Sequence, residues 1–171
     1  DHIIVGRTVR RGLLATGGDE RWVAPQRSMA AIDTLLRASY DIQPKPIATD
    51  YLAAATDLAL RQRRRALVML VTNLRDEDDQ ELLTAVRRLS RQHRVLIASL
   101  REEALDRLRQ TPVEQFEQAL AYCGTLDYLN ARADLHERLA AHDVPVLDVR
   151  PGELGPELVS SYLSWKKAGA L

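Results

Sequence analysis

The sequence predicts an α/β domain with a mostly parallel sheet that is covered by helices on both sides. Three apolar segments, 66–72, 94–100 and 144–149, alternate with helical segments in the second half of the chain. Such alternation is typical of parallel strands joined by right-handed helical crossovers. Segment 66–72 is apolar at almost every position, as expected for a strand that is buried on both faces. The length of 171 residues suits one domain.

The first half of the chain is expected to add a hairpin and a helix. Segments 2–9 and 12–16 are rich in apolar and β-branched residues, and the turn-forming stretch TGGDE follows them. After Pro25 the spacing of apolar residues predicts a helix that ends near residue 42. The residues expected on its inner face are Met29, Ile32, Leu35, Leu36 and Tyr40.

Two further helices are predicted from capping residues and charge. Thr49 or Asp50 is expected to cap a helix that ends near residue 63. The residues expected on its inner face are Leu52, Ala55, Leu58 and Ala59. The segment 77–92 begins with acidic and ends with basic residues, which matches the dipole of a helix.

The C-terminal third is mainly helical by the same criteria. A short helix follows residue 100, and a long helical segment after it is expected to break near Gly124. A final helix is expected from about residue 156 to residue 168. Its Tyr162 and Trp165 are one turn apart, so they are expected either to pack on the sheet or to anchor an interface.

Composition and charge limit the classes of function. Lys plus Arg and Asp plus Glu each number 24, so no net charge attracts nucleic acid or an acidic membrane. The basic run 61–65 is interpreted as a helix C-terminus, where Arg is favoured. Cys123 is the only cysteine, which excludes an internal disulfide, and it is expected to be packed and inert. His93 and His142 are expected to be solvated helix caps.

Polar residues follow the predicted strands at the edge where open α/β sheets bind ligands. These are Thr72 and Asn73, then Ser99, then Asp148. Their oxygens could bind a hard cation or could simply cap turns, since Asn73 lacks the charge that Mg²⁺ normally requires. Asp148 is either catalytic or a hydrogen-bond acceptor. The acidic group Asp76, Asp78 and Asp79 lies where a helix N-terminus favours negative charge.

Four sequence segments carry a resemblance to a known family. They are PIATDYLAAA (46–55), RRRALVMLVTNLRDED (63–78), LLTAVRRLSRQHRVLIASLRE (82–102) and DVPVLDVRPGELGPELVSSYLSWKKAGAL (143–171). In this order they resemble the C-terminal half of the bacterial family called domain of unknown function 58. The resemblance covers the chain from about residue 40 onward. Members carry a von Willebrand factor A-like domain and are commonly encoded beside MoxR-type AAA+ ATPases.

The resemblance implies a three-layer αβα sandwich with a metal-ion-dependent adhesion site at the carboxyl edge of its sheet. Of that site, Thr49 matches the threonine position, and Asn73 stands where the family often has Asp. The Asp-x-Ser-x-Ser motif of the first, central strand has no match, which implies a degenerate site and an N-terminally truncated domain. Mg²⁺ is expected only if an upstream strand supplies that motif. Without such a strand, the hairpin at residues 2–16 is expected to have an exposed edge through which the chain could dimerise.

The resulting functional prediction is a non-enzymatic protein-interaction module. Docking residues are expected to be Thr49, Asp50, Asn73 and Arg75, and the expected partner is a MoxR-type AAA+ ATPase in a complex-assembly or chaperone-like role. The full-length protein is expected to be tethered to a membrane by upstream helices, with this domain on the cytoplasmic face. The alternative is a Mg²⁺-dependent hydrolase that uses Asp50, Asp76 and Asp148.

Overall fold

A computed structural model describes residues 2–7, 10–16, 20–27, 30–43, 49–74 and 79–169. The described residues contain the strands β1 (His2–Arg7), β2 (Arg10–Ala15), β3 (Arg21–Gln26), β4 (Leu67–Thr72), β5 (Arg94–Leu100) and β6 (Val146–Val149). They also contain the helices α1 (Ala30–Tyr40), α2 (Tyr51–Arg61), α3 (Asp79–Ser90), α4 (Glu103–Gln110), α5 (Phe116–Ala140) and α6 (Leu154–Lys167). A 3₁₀ turn, Pro151–Glu153, leads into α6.

The six strands form one mixed sheet in the order β3-β2-β1-β4-β5-β6. Strands β4, β5 and β6 are parallel, as predicted for the second half of the chain. The pairs β1–β2, β1–β4 and β2–β3 are antiparallel. The prediction of a mostly parallel sheet is therefore wrong for the N-terminal half, because hairpins rather than helical crossovers connect β1, β2 and β3.

Strand β1 corrects the prediction that the N-terminal hairpin lacks a neighbour. It lies inside the sheet and pairs with β2 on one side and with β4 on the other. It thus takes the central position that the resemblance assigned to a strand upstream of Asp1. The pairing satisfies the backbone groups of β1 on both sides. Since β1 has no free edge in the described sheet, the premise for dimerisation through residues 2–9 does not hold.

Strand β3 was not predicted, because Pro25 within it was interpreted as the start of a helix. Proline is tolerated there because β3 lies at the edge of the sheet. The pairing of β2 with β3 shifts register between Arg11 and Leu13. A Cβ atom at Gly12 would lie 2.7 Å from the carbonyl oxygen of Val23, so the close approach of the two strands requires glycine at this position.

The main core lies between the sheet and the helices α2, α3 and α5. Its fully buried side chains include Leu58 of α2, Leu82 of α3 and Leu135 of α5, which pack with Val68 and Ile97 of the central strands. Helix α6 contacts β5 and β6. The guanidinium of Arg94 on β5 lies 5.4 Å from the ring centroid of Trp165 on α6, so Trp165 packs against the sheet.

Two predicted inner faces differ from the structure. On α1, Leu36 and Tyr40 are 60% and 89% exposed, because α1 packs mainly against the outer strands β2 and β3 and covers little of the sheet. The predicted inner residue Met29 lies outside the described residues. On α2, Leu52 is exposed, and the buried residues are Tyr51, Ala54, Ala55 and Leu58.

Three smaller predictions are also wrong. Helix α5 runs without a break from Phe116 to Ala140, so Gly124 does not interrupt it. Cys123 is exposed on this helix and not packed. His93 is only 4% exposed and not a solvated cap.

Among the described residues, none of the helices combines the length and hydropathy needed to cross a membrane.

Candidate functional site

A row of three polar side chains crosses the carboxyl ends of the parallel strands. Thr72 of β4 is paired in register with Ser99 of β5, and Ser99 is paired with Asp148 of β6. Residues in register on adjacent strands face the same side of a sheet, and here this side is the one covered by α2, α3 and α5. The chain thus places a hydroxyl, a second hydroxyl and a carboxylate side by side at the edge where such sheets bind ligands.

Two arginines hold the carboxylate of Asp148. Arg132 on α5 donates to Oδ1 at 2.7 Å, and Arg101, just after β5, donates to Oδ2 at 2.8 Å. The side chain of Arg132 is 5% exposed, whereas that of Arg101 is 43% exposed. Burial by itself would raise the pKa of Asp148, but the hydrogen bonds and charges of the two arginines outweigh it and hold the pKa below its ordinary value of 3.8.

Arg132 also links the ends of the neighbouring strands. It donates to the carbonyl oxygen of Leu100 at 3.1 Å, and it lies 3.5 Å from the carbonyl oxygen of Leu74. The hydroxyl of Tyr128, one turn earlier on α5, donates to the same Leu74 carbonyl at 3.2 Å. Helix α5 therefore links the carboxyl ends of β4, β5 and β6, because one buried guanidinium bonds groups at or just beyond the end of each strand.

The start of α2 lies at the same edge. The hydroxyl of Tyr51, its first residue, shares a hydrogen bond of 2.8 Å with Oγ1 of Thr72. Asp50 is the N-cap and accepts from the backbone N–H of Ala53 at 2.6 Å. Glu81 of α3 accepts from the N–H of Leu52 at 3.1 Å. Carboxylates of the chain itself thus satisfy donors in the first turn of α2.

Two buried oxygen atoms at this edge have no hydrogen-bond partner among the described residues. They are Oγ of Ser99, a residue with no exposed surface, and Oδ1 of Asn73. Buried polar groups normally have partners, so both atoms retain unused hydrogen-bonding capacity. Nearby, burial and then the charge of Arg132 lower the pKa of His136, which lies one turn after Arg132 on α5.

The structure brings together part of the predicted docking set. Thr49 and Asp50 precede α2, and the contact between Tyr51 and Thr72 places them at the same edge as Asn73. Asp50 is exposed, and Thr49 and Asn73 are partly buried. Arg75 lies outside the described residues, as does Asp76 of the alternative hydrolase set.

The described residues do not fit a Mg²⁺ site. Asp148 directs both carboxylate oxygens at arginines. The carboxylates of Asp50 and Glu81 accept hydrogen bonds from backbone N–H groups in the first turn of α2. The oxygens of Thr49, Thr72 and Asn73 are neutral. Mg²⁺ normally takes at least one carboxylate ligand. Within the described part of the chain, no three His, Cys, Asp or Glu side chains form a group that could hold a metal ion.

The arginine partners of Asp148 were missed by sequence reasoning, although one signal pointed to Arg132. Arg132 precedes Leu135 and Leu139 by three and seven residues, which places it on the apolar face of α5. An arginine on such a face needs a partner when buried, so its position implied a carboxylate nearby. No comparable signal marked Arg101, which lies in a loop.

The comparisons with known proteins concern the family only. Searches of curated proteins and of solved structures found no match to the chain. The model of one family, described as protein of unknown function DUF58, matches residues 2–144. The match includes residues 2–25, which precede the part that the resemblance covers. It ends at residue 144, at the start of the C-terminal segment 143–171 that contributed to the resemblance. Because the match spans most of the 171 residues, the chain belongs to the family described as protein of unknown function DUF58.

Proposed function

We propose that the chain is a non-enzymatic protein-interaction domain of von Willebrand factor A-like architecture. It binds its partner at the carboxyl edge of the sheet, where Thr49, Asp50 and Asn73 are located. The observation that supports this proposal is the engagement of Asp148 by Arg101 and Arg132. The edge is built from groups that bind one another, which makes it rigid and preorganised for docking.

The electrostatics of Asp148 favour binding over catalysis. A general base works best when its pKa lies near the operating pH. The two arginines hold the pKa of Asp148 below 3.8, so at neutral pH its carboxylate has little tendency to accept a proton. The hydrogen bond to Ala53 likewise occupies Asp50 as a helix cap. Both carboxylates that the alternative hydrolase would use in the described residues thus have structural partners.

The proposed partner is a MoxR-type AAA+ ATPase, and the proposed role is complex assembly or a chaperone-like activity. Membership of the family supports this choice, together with the resemblance described above. Thr49, Asp50, Asn73 and Arg75 form the proposed docking face. The full-length protein would present this face to the ATPase at the cytoplasmic side of a membrane, tethered through upstream helices.

The docking face is tested by the double substitution Thr49→Ala with Asn73→Ala. Binding to a purified MoxR-type ATPase is measured by biolayer interferometry with the unmodified chain and with the variant. We expect the dissociation constant to rise about tenfold or more, which is the loss typical of central interface residues. The matched control is Thr84→Ala with Ser90→Ala, two exposed residues on α3. Equal affinities of all three proteins would show that the docking face is wrong.

A turnover assay separates this proposal from the alternative hydrolase. The chain is incubated with phosphatase and nuclease substrates in the presence of Mg²⁺, with and without a chelator. The proposal predicts no turnover above that of the Asp148→Asn variant. Turnover that disappears both on chelation and in Asp148→Asn would overturn it in favour of the Mg²⁺-dependent hydrolase.

A further inference from the structure

The N-terminal half of α5 extends beyond the sheet. Arg132 marks the level of the carboxyl edge, because it bonds Asp148 and the carbonyl oxygen of Leu100 there. Phe116, the first residue of α5, lies 16 positions earlier. At 1.5 Å per residue, the helix therefore extends about 24 Å past that level. Helix α4 packs against α5. The two helices form a hairpin that stands above the sheet.

An apolar stripe follows the exposed side of this projecting helix. Phe116 is 79% exposed and Leu120, four positions later, is 59% exposed. Gly124 follows after four more residues and is also exposed. Residues spaced by four lie on one helical face. We refer to Phe116, Leu120 and Gly124 as the α5 stripe.

Among the described residues, no contact explains a glycine at position 124. A Cβ atom added at this position would meet no atom within 4 Å. Glycine in a helix interior lowers helix stability relative to alanine, so the position carries a cost with no internal contact to offset it. Space next to a helix backbone does, however, allow a large side chain from another helix to approach closely.

We infer that the α5 stripe binds the same stripe of a second copy of this chain. Two antiparallel α5 helices with a two-fold axis through Leu120 bring residue 116 of each copy opposite residue 124 of the other. Each Phe116 ring then fills the space beside Gly124, and the two Leu120 side chains meet at the axis. A two-fold interface requires one surface to be complementary to itself. The stripe meets this requirement because Phe116, with a large ring, and Gly124, with no side chain, lie at equal distances from Leu120.

The charges near the α5 stripe are compatible with a second copy as the occupant. In this register Asp127 of one copy lies opposite Val113 of the other, an apolar residue. Glu117 lies opposite Cys123, so no acidic residues of the stripe region face each other. The interface is distinct from the docking face and from the edges of the sheet.

The oligomeric state tests the inference. We expect sedimentation equilibrium of the unmodified chain to show twice the monomer mass of 19.2 kDa as its concentration rises to about 100 μM. Leu120→Glu places two like charges at the axis, so self-association should weaken roughly 100-fold. The matched control is Leu60→Glu on α2, because Leu60 is similarly exposed, at 68%, and lies elsewhere. A monomer throughout the concentration range would overturn the inference.

Gly124→Leu separates self-association from folding. Since the position is open within the chain, the variant should unfold at the same or a higher temperature than the unmodified chain. Its bulk should nevertheless exclude the Phe116 ring of the second copy and abolish the dimer. A Gly124→Leu protein that is still dimeric would overturn the inference, even if Leu120→Glu is monomeric.

Cross-linking tests the register. In a Cys123→Ser background, Leu120→Cys places two thiols at the axis, and mild oxidation should join them by a disulfide. Asn130→Cys on the same helix is the control, because its two copies would be about 30 Å apart along the axis. Cross-linking of Asn130→Cys but not of Leu120→Cys would overturn the register. A monomer whose stripe binds a different protein would assign the surface to that protein and overturn the inference.

Discussion

Arg132 is the residue whose removal should destabilise the carboxyl edge most. We consider Arg132→Met, which retains much of the side-chain volume and removes the charge. The variant loses the 2.7 Å ion pair with Asp148 and the 3.1 Å hydrogen bond to the carbonyl oxygen of Leu100. Asp148 retains Arg101, and Tyr128 still donates to the carbonyl of Leu74. The perturbation therefore removes one buried guanidinium from a site that is otherwise intact.

The expected loss follows from the contacts. A hydrogen bond to a charged group contributes about 1.5–3 kcal/mol, and an unpaired carbonyl costs about 1 kcal/mol more. The full 3–5 kcal/mol typical of a broken buried pair is not expected, because Asp148 is 27% exposed and keeps Arg101. We therefore expect the free energy of unfolding to fall by about 3 kcal/mol. For a chain of this length, the melting temperature should fall by about 6–12 °C.

The assay is urea unfolding followed by circular dichroism, with Arg101→Met as the matched control. Arg101 contacts the same carboxylate, but its side chain is 43% exposed, so its loss should cost about 0–1 kcal/mol. The comparison of the two unfolding free energies shows how the contribution of each arginine depends on its burial. If Arg101→Met destabilised the protein as much as Arg132→Met, the role assigned to the buried guanidinium would be refuted.

A pH series provides a second test of the same site. Because the folded-state pKa of Asp148 lies below 3.8, its carboxylate stabilises the fold fully above that pH. The stabilisation is lost as the pH falls through the lowered pKa and Asp148 becomes protonated. The difference in unfolding free energy between the unmodified chain and Asp148→Asn should therefore be constant near neutral pH and shrink below about pH 4. A difference that grows on acidification would contradict this sign.

The remaining predictions concern a close approach, a buried histidine and a helix cap. Gly12→Ala should lower the free energy of unfolding by about 1–3 kcal/mol, because the new Cβ would lie 2.7 Å from a carbonyl oxygen of the adjacent strand. The control is Gly152→Ala, whose Cβ would meet nothing within 4 Å, so its melting temperature should change little. Burial lowers the pKa of His93, so the neutral ring is favoured in the folded state and stability falls as the pH drops below 6.5. His93→Leu should reduce that loss in urea titrations. Asp50→Ala should cost about 1 kcal/mol by loss of the cap, and an unchanged melting temperature would contradict the capping geometry.

Local patterns were sufficient to predict several elements because their causes are local. Strand β5 spans residues 94–100, as predicted, since a strand buried on both faces requires an uninterrupted apolar run. A cap of α2 at Thr49 or Asp50 was also predicted, and Asp50 is the cap, because a side chain and a backbone N–H three residues apart decide it. Strand β3 was missed for the opposite reason. Only its place at the sheet edge makes Pro25 compatible with a strand.

The candidate site was likewise predicted from the sequence only in part. From the sequence alone, Thr72, Ser99 and Asp148 could be placed at strand ends on the carboxyl edge, because apolar runs terminate there. Their alignment in one row depends on the register between strands, which no local pattern specifies. The contact of Arg132 with Asp148 similarly depends on how α5 crosses the sheet.

The sequence by itself determined the α/β class, the buried parallel strands and the polar character of their carboxyl ends. These follow from hydrophobic periodicity and from caps that involve residues close together in the chain. Only the tertiary structure decided that β1 lies between β2 and β4, and that two arginines neutralise Asp148. Both outcomes depend on residues far apart in sequence. These residues come into contact and stabilise the fold only when the helices and the sheet pack together.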